Sequence, residues 1–250
     1  MYDAVAGLIL TVGGAPDYQD ADATSNAHII TLGAPGDVPT VTTIGNMAYA
    51  RSFANGVVLP DGTVLITGGQ TYAEPFSDAD SILTPELFDP GTNTFTQLAP
   101  MSIPRNYHSV GILLPDATVG NGGGGLCGDC ATNHFDMEIF TPPYLYDGSG
   151  ALAARPAISS VSTGSTAVGT SFTVTTAGGV DSFSIIRLTS TTHTVNTDQR
   201  RIALTPSATA GTTYTLTIPT DPGVAVPGVW YLFAIAGGVP SVASYLTITL

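Results

Sequence analysis

The second half of the chain alternates apolar and polar positions, and helical periodicity is nearly absent throughout. Alternation with a period of two predicts β-strands with one buried face. Glycine, proline and aspartate separate the alternating segments at regular intervals. Short strands spaced in this way over roughly a hundred residues favour an immunoglobulin-like β-sandwich, which we place at residues 153–250. The segments are RPAISSVST, SFTVTTAG, FSIIRLTS, RIALTPSA, TYTLTIPT, VWYLFAIA and SYLTITL.

The first part of the chain contains an internal repeat, in which apolar strands end in glycine pairs that recur after 55 and then 54 residues. In the second and third units, ARSFANGVVLPDG aligns with PRNYHSVGILLPDA, placing Arg51 over Arg105 and Phe53 over Tyr107. About four short strands per unit of roughly fifty residues is typical of a kelch-type propeller blade. Residues 1–152 are therefore predicted to form a partial kelch-type β-propeller of about three blades, which makes the whole chain all-β. The glycine pairs are Gly13-Gly14, Gly68-Gly69 and Gly122-Gly123.

Composition and charge narrow the function. The 250 residues are 43% hydrophobic, with 29 Gly and 18 Pro, which fits a β-rich and turn-rich protein. Six basic residues, all arginine, stand against 19 acidic ones, for a net charge of −13. Nucleic acid binding is excluded because basic side chains must neutralise phosphates, and lysine Schiff-base chemistry is excluded because there is no lysine.

The chain offers no sign of a membrane span or a leader. No run of eighteen apolar residues occurs, so no membrane-spanning helix is expected. The opening stretch MYDAVAGLILTVGGAPD lacks a basic region and leads straight into a turn, so it is not a signal peptide. It is typical of a strand entered halfway, and we expect the chain to start inside a fold.

Both cysteines fall in the stretch NGGGGLCGDCATNHFD, residues 121–136. Cys127 and Cys130 are only half of a tetrahedral zinc site, and His134 could be a third ligand. A thioredoxin-like redox pair normally opens a helix in an α/β setting, which this sequence lacks. The simplest interpretation is a local disulfide that braces a glycine-rich loop, with metal and redox roles as the alternatives.

Two of the four histidines are candidates for chemistry. His108 follows Tyr107 at the start of a predicted strand, and His193 lies in the polar turn LTSTTHTVNTDQRR. Two imidazoles with a phenolate oxygen suit Cu(II), which prefers tetragonal N,O ligands. The alternatives are a buried polar pair at residues 107–108 and a merely exposed His193. His28, inside a predicted strand, and His134 are expected to be structural.

Several long and chemically unusual stretches together resemble the galactose oxidase family, which are secreted copper radical oxidases of fungi. The resemblance runs from about residue 1 to residue 250. The stretches are DYQDADATSNAHIITLG, RNYHSVGILLPD, NGGGGLCGDCATNHFDMEIFTPPYLY, HTVNTDQRRIAL and GVPSVAS.

The resemblance implies that a copper ion is held by Tyr107 as axial ligand and by His108 and His193. As a phenolate, Tyr107 would also be the catalytic base that accepts the proton of the substrate hydroxyl. A further tyrosine of the family, thioether-linked to a cysteine, carries the radical. The implied reaction oxidises a primary alcohol, such as the galactose C6 hydroxyl, to an aldehyde while O2 becomes H2O2.

The resemblance also implies a substrate side and a disulfide. Tyr18 and Gln19 would line the substrate pocket, with Gln19 hydrogen-bonding sugar hydroxyls. Phe53 and Phe76 would form apolar walls, their alternative being ordinary core residues of the predicted blades. Cys127 and Cys130 match a disulfide of the family.

The chain departs from the family in what it lacks. The family's propeller has seven blades, and its cross-linked tyrosine, partner cysteine, stacking tryptophan and substrate-binding arginine lie upstream of the region that matches Met1. The radical cofactor is therefore not encoded here, and Trp230 lies in a sandwich strand instead. We expect an inactive fragment of a secreted enzyme that is a monomer when complete, its other propeller blades coming from the parent chain. The alternatives are a non-catalytic carbohydrate- or protein-binding module and a structural protein with a vestigial site.

Overall fold

The computed structural model describes residues 1–250, and residues 1–141 contain antiparallel sheets of two to four strands. The strands of the middle sheet run in the order β5-β6-β8-β9, and three-stranded sheets β1-β3-β4 and β10-β11-β12 lie before and after it in the chain. A small pair, β2-β7, links the loops of the first two. The strands are β1 (Leu8–Val12), β2 (Ala21–Asp22), β3 (Ala27–Thr31), β4 (Thr40–Thr43), β5 (Ser52–Val58), β6 (Val64–Gln70), β7 (Tyr72–Ala73), β8 (Glu86–Asp89), β9 (Thr94–Gln97), β10 (Ser109–Leu113), β11 (Val119–Gly123) and β12 (Met137–Phe140).

The glycine pairs of the repeat are explained by close backbone contact between consecutive units. A Cβ on Gly13 would lie 2.4 Å from the carbonyl oxygen of Arg51, and one on Gly68 would lie 2.0 Å from that of Arg105. Both glycines also have positive φ, 64° and 67°. Only glycine tolerates both conditions, so each unit presses against the arginine of the next at a position where no side chain fits.

The repeated arginines are buried and paired. Arg51 contacts Glu86 at 3.0 Å with both side chains inaccessible to solvent, and Arg105 contacts Asp136 at 3.1 Å and Glu138 at 3.6 Å. Buried charges of this kind persist only when an opposite charge and hydrogen bonds compensate them. The internal repeat in the sequence is therefore also a repeat of contacts.

Equivalent positions of the second and third units touch each other. The Asn55 side-chain amide donates to the Ser109 hydroxyl at 2.8 Å, and Thr67 donates to Asn121 at 2.8 Å; all four residues are buried. The members of each pair are 54 residues apart. The same spacing that aligns the two sequences thus relates the two sheets in space.

Four strands per unit are found only in the middle sheet. In the third unit, β12 is followed by Pro142 and a 3-10 helix, η1 (Pro143–Leu145). Proline cannot donate to a sheet ladder, so the chain turns away where a fourth strand would begin. In the first unit, β1 pairs only with β3 and has no counterpart of β5 beside it.

Residues 158–249 form two packed sheets, of the order β13-β15-β21-β20 and β14-β24-β22-β16-β19, with β23 beside β22 and a separate hairpin β17-β18. All seven predicted segments are strands. The strands are β13 (Ile158–Val161), β14 (Ser165–Ala167), β15 (Ser171–Thr176), β16 (Ser182–Arg187), β17 (Ser190–Thr192), β18 (Val195–Thr197), β19 (Arg201–Leu204), β20 (Ala208–Ala210), β21 (Thr213–Thr217), β22 (Gly228–Ala236), β23 (Val239–Pro240) and β24 (Ser244–Thr249).

The inward positions of these strands form the largest core cluster, around the fully buried Trp230, with Phe183, Ile185, Leu216 and Leu232. A second cluster joins this part to the repeats, because Ile186 and Phe233 pack with side chains of the second and third sheets. Those partners are Val57, Leu59, Leu65, Leu113, Ala117 and Val119. The two parts therefore share a continuous apolar contact.

The cysteine loop is closed by a Cys127–Cys130 disulfide, as the simplest interpretation predicted. The zinc alternative is wrong, because neither sulfur is a free thiolate. His134 instead contacts the Asp78 carboxylate at 3.0 Å, and the half-buried His28 lies within β3. No helix in the structure is long and apolar enough to cross a membrane.

Candidate metal centre

The residues predicted to bind copper come from distant parts of the chain. Tyr107 and His108 directly precede β10, and His193 lies in the turn between β17 and β18. The hairpin β17-β18 lies beside β5 and β10. Its Thr194 amide donates to the Ser109 carbonyl at 3.0 Å, which joins the residues that immediately follow the two histidines.

The three rings converge. Tyr107 and His108 are stacked with centroids 3.8 Å apart, and the His193 ring meets His108 at 4.5 Å, nearly perpendicular. The Tyr107 and His193 centroids are 6.0 Å apart. The alternative of an isolated, merely exposed His193 is therefore wrong, because this histidine is part of a cluster.

Hydrogen bonds engage one nitrogen of each imidazole. His108 Nδ1 lies 2.6 Å from the carbonyl oxygen of Gly125, so this nitrogen carries the proton and donates. His193 Nδ1 lies 2.6 Å from the Thr192 hydroxyl. Nε2 is consequently the available donor atom on both rings, and a partner on the other nitrogen is what orients histidine ligands in metal sites.

Further aromatic rings surround Tyr107. Its centroid lies 5.4 Å from that of Tyr18, 5.2 Å from Phe53 and 5.1 Å from Phe76, and the Phe76 ring also contacts His108 at 5.6 Å. Tyr18 and Phe76 are exposed and Phe53 is half-buried, so these side chains line an open surface. The alternative that Phe53 and Phe76 are ordinary core residues is therefore not supported.

The two tyrosines are electrostatically linked. A hydrogen bond with Tyr107 raises the pKa of Tyr18 to about 12, with smaller contributions from burial and from charge repulsion with Tyr107. Gln19 is placed differently, since its amide nitrogen contacts the Asp20 carboxylate at 3.4 Å on the surface. The structure thus brings Tyr18 into the cluster and leaves Gln19 beside it.

Four aromatic residues of the site adopt left-handed backbone conformations. The φ angles are 55° for Phe53, 64° for Phe76, 66° for His108 and 51° for His193. Bulky residues rarely adopt such angles, each costing on the order of 1–3 kcal/mol, and such strain clusters at functional sites. The surrounding contacts must hold these side chains in place.

The sequence analysis missed the residues that hold the histidines, namely Gly125, Thr192 and Thr194. Gly125 is hidden in a glycine run and acts through its carbonyl, so no side-chain signal marks it. Thr192 and Thr194 flank His193 in a hydroxyl-rich turn, and that adjacency was the available signal.

Comparison with known proteins identifies the class. Residues 155–248 match the family described as "Galactose oxidase-like, Early set domain". Along its whole length the chain is 55% identical over 251 residues to a galactose oxidase of Gibberella zeae, of which it spans 37%. The chain is therefore a galactose oxidase-like sequence that corresponds to the C-terminal part of such a protein.

Other relatives agree with this assignment. A solved structure of a fungal alcohol oxidase of the AA5 family, in complex with copper, superposes with a TM-score of 0.98 at 49% identity, covering 100% of this chain and 53% of that one. The aldehyde oxidase GLOX of Vitis pseudoreticulata is 31% identical over 222 residues, 80% of this chain and 42% of that protein. The chain thus spans about half or less of the relatives that it matches.

Proposed function

We propose that this chain supplies part of the active site of a copper radical oxidase, which oxidises a primary alcohol such as the galactose C6 hydroxyl to an aldehyde. The observation that carries the proposal is the convergence of Tyr107, His108 and His193, with neighbouring ring centroids 3.8 and 4.5 Å apart. The balanced reaction is RCH2OH + O2 → RCHO + H2O2.

The donor set fits a copper ion. Two imidazole Nε2 atoms and one phenolate oxygen are ligands that Cu(II) accepts, and three donors leave positions for a substrate and a further ligand. No group of three or more His, Cys, Asp or Glu side chains clusters elsewhere as an alternative metal site. Tyr107 therefore has to be a ligand, with the family's cross-linked tyrosine coming from outside this chain.

Tyr107 is proposed as the catalytic base. Bound copper would stabilise the phenolate form and the substrate alkoxide and would accept one electron. The Tyr107 oxygen accepts the proton of the substrate hydroxyl. The hydrogen of the alcohol carbon goes to the radical tyrosine, which this chain does not contain, and dioxygen takes up the electrons and protons as H2O2.

The open aromatic surface is proposed as the substrate side. Tyr18, Phe53 and Phe76 stand around Tyr107 and offer apolar faces to the C–H groups of a sugar. Gln19, exposed at the rim, is free to hydrogen-bond sugar hydroxyls.

For the whole molecule we propose a partial kelch-type propeller at residues 1–152 and an immunoglobulin-like sandwich at residues 153–250. The repeated glycine–arginine contacts and the pairs 54 residues apart support related units arranged around an axis. The parent protein is proposed to be secreted and monomeric, in keeping with the resemblance and the disulfide.

The experiment is a calorimetric Cu(II) titration of the chain and of His108→Ala and His193→Ala. The chain should bind one copper ion, and each variant should bind it at least about tenfold more weakly. His28→Ala is the matched control, since His28 lies in β3, and should bind like the unaltered chain. Galactoside binding without any copper binding would favour the non-catalytic carbohydrate-binding module instead.

A further inference from the structure

We propose that Gln199 is a positioning residue that holds His193 in place by fixing the base of the hairpin β17-β18 to β5. The inference rests on the copper site proposed above. His193 lies at the turn of this hairpin, whose strands are only three residues long. A hairpin of that size has little stability of its own, so its position depends on contacts with the neighbouring sheets.

The Gln199 side chain imitates a neighbouring strand. β5 is paired with β6 along one edge only, which leaves its other edge open. The Gln199 amide covers that edge, since its Nε2 donates to the Gly56 carbonyl at 3.0 Å and its Oε1 accepts from the Val58 amide at 2.6 Å. A side-chain amide has the same donor and acceptor as a peptide group, so it satisfies two backbone groups that would otherwise lack partners.

The hairpin has a second anchor at its tip, where the Thr194 amide donates to the Ser109 carbonyl at 3.0 Å. Thr194 and His193 both have positive φ, 61° and 51°, a conformation that persists only when surrounding contacts impose it. With the base anchor lost, a single hydrogen bond at the tip would leave the hairpin free to pivot. His193 would then spend less time within reach of His108.

The test replaces Gln199 by methionine, which keeps the length of the side chain and removes both hydrogen bonds. Gln97→Met is the matched control, because Gln97 is exposed on β9 and its side chain accepts one hydrogen bond from Tyr49. Two quantities are measured, hydrogen exchange of the Thr194 amide in metal-free protein and Cu(II) affinity with the accompanying EPR spectrum. We expect Gln199→Met to speed exchange at least about tenfold and to weaken copper binding roughly 10- to 100-fold, whereas Gln97→Met changes neither.

Unchanged exchange and unchanged copper affinity in a folded Gln199→Met variant would overturn the inference. So would weaker copper binding without faster exchange, since Gln199 would then act by another route. If the unaltered chain binds no copper, the proposed function fails, while the exchange measurement still decides whether Gln199 holds the hairpin.

If Gln199→Met does not fold, Gln199→Glu decides, because a carboxylate still accepts from Val58 and cannot donate to Gly56. Intermediate exchange and affinity support the role, and values equal to those of the unaltered chain contradict it.

Discussion

At the scale of single residues, the buried pair Arg51–Glu86 is the contact most sensitive to change. Burial lowers the pKa of Arg51, and the hydrogen bond and charge of Glu86 partly offset that effect. We expect Glu86→Ala to lower the free energy of unfolding by about 3–5 kcal/mol in urea denaturation, because it leaves a buried guanidinium uncompensated. Glu138→Ala is the control and should cost less, since Arg105 keeps Asp136 at 3.1 Å. Equal losses in the two variants would contradict this account.

Tyr231 makes stability depend on alkaline pH. Burial, followed by the neighbouring Tyr245, raises the pKa of Tyr231 to about 12 from its ordinary 10.0. The folded state therefore favours the neutral phenol, and this contribution is fully present below pH 10 and is lost as pH rises through 12. We expect Tyr231→Phe to flatten the fall of the urea midpoint over that window, whereas the exposed Tyr146→Phe should leave its slope unchanged.

At the scale of elements, the glycine pairs set how closely the repeated sheets approach. A Cβ on Gly68 would overlap the Arg105 carbonyl oxygen at 2.0 Å in a backbone with φ of 67°. We expect Gly68→Ala to cost roughly 2–4 kcal/mol in thermal or urea unfolding, from strain together with overpacking. Gly179→Ala, where a Cβ meets nothing within 4 Å, should change stability by less than about 0.5 kcal/mol. A tolerated Gly68→Ala would mean that the sheets can separate cheaply.

Much of this organisation could be predicted from the sequence because its causes are local. The strands around Trp230 alternate because one face of each is buried, and the glycine pairs recur because the same contact recurs. The hairpin that carries His193 could not be predicted, since its three-residue strands give no periodicity. Its position comes from long-range bonds, Thr194 to Ser109 and Gln199 to β5, and no spacing in the sequence encodes them.

At the scale of the whole molecule, the third sheet carries an apolar outer surface. Met137 and Ile139 of β12 are 54% and 55% exposed, and beside them lies a groove of about 580 Å³ lined by Leu98, Phe140 and Tyr146. Apolar surface of this extent normally marks a contact with another protein segment. Because the chain spans 37% of the galactose oxidase that it resembles, the remainder of such a protein is the natural source of that cover.

The last prediction follows from this incompleteness and concerns activity. This chain alone should produce no peroxide from galactose, because it provides a base and two imidazole ligands without a radical partner for the alcohol hydrogen. Fused behind the remaining part of the Gibberella zeae galactose oxidase, with which it shares 55% identity, it should yield a copper-dependent oxidase measurable in a peroxide-coupled assay. The same fusion carrying His193→Ala should be inactive while folding normally, since it lacks only one copper ligand. Turnover by the chain alone, or full activity of the His193→Ala fusion, would show that the chemistry does not depend on the site assembled by Tyr107, His108 and His193.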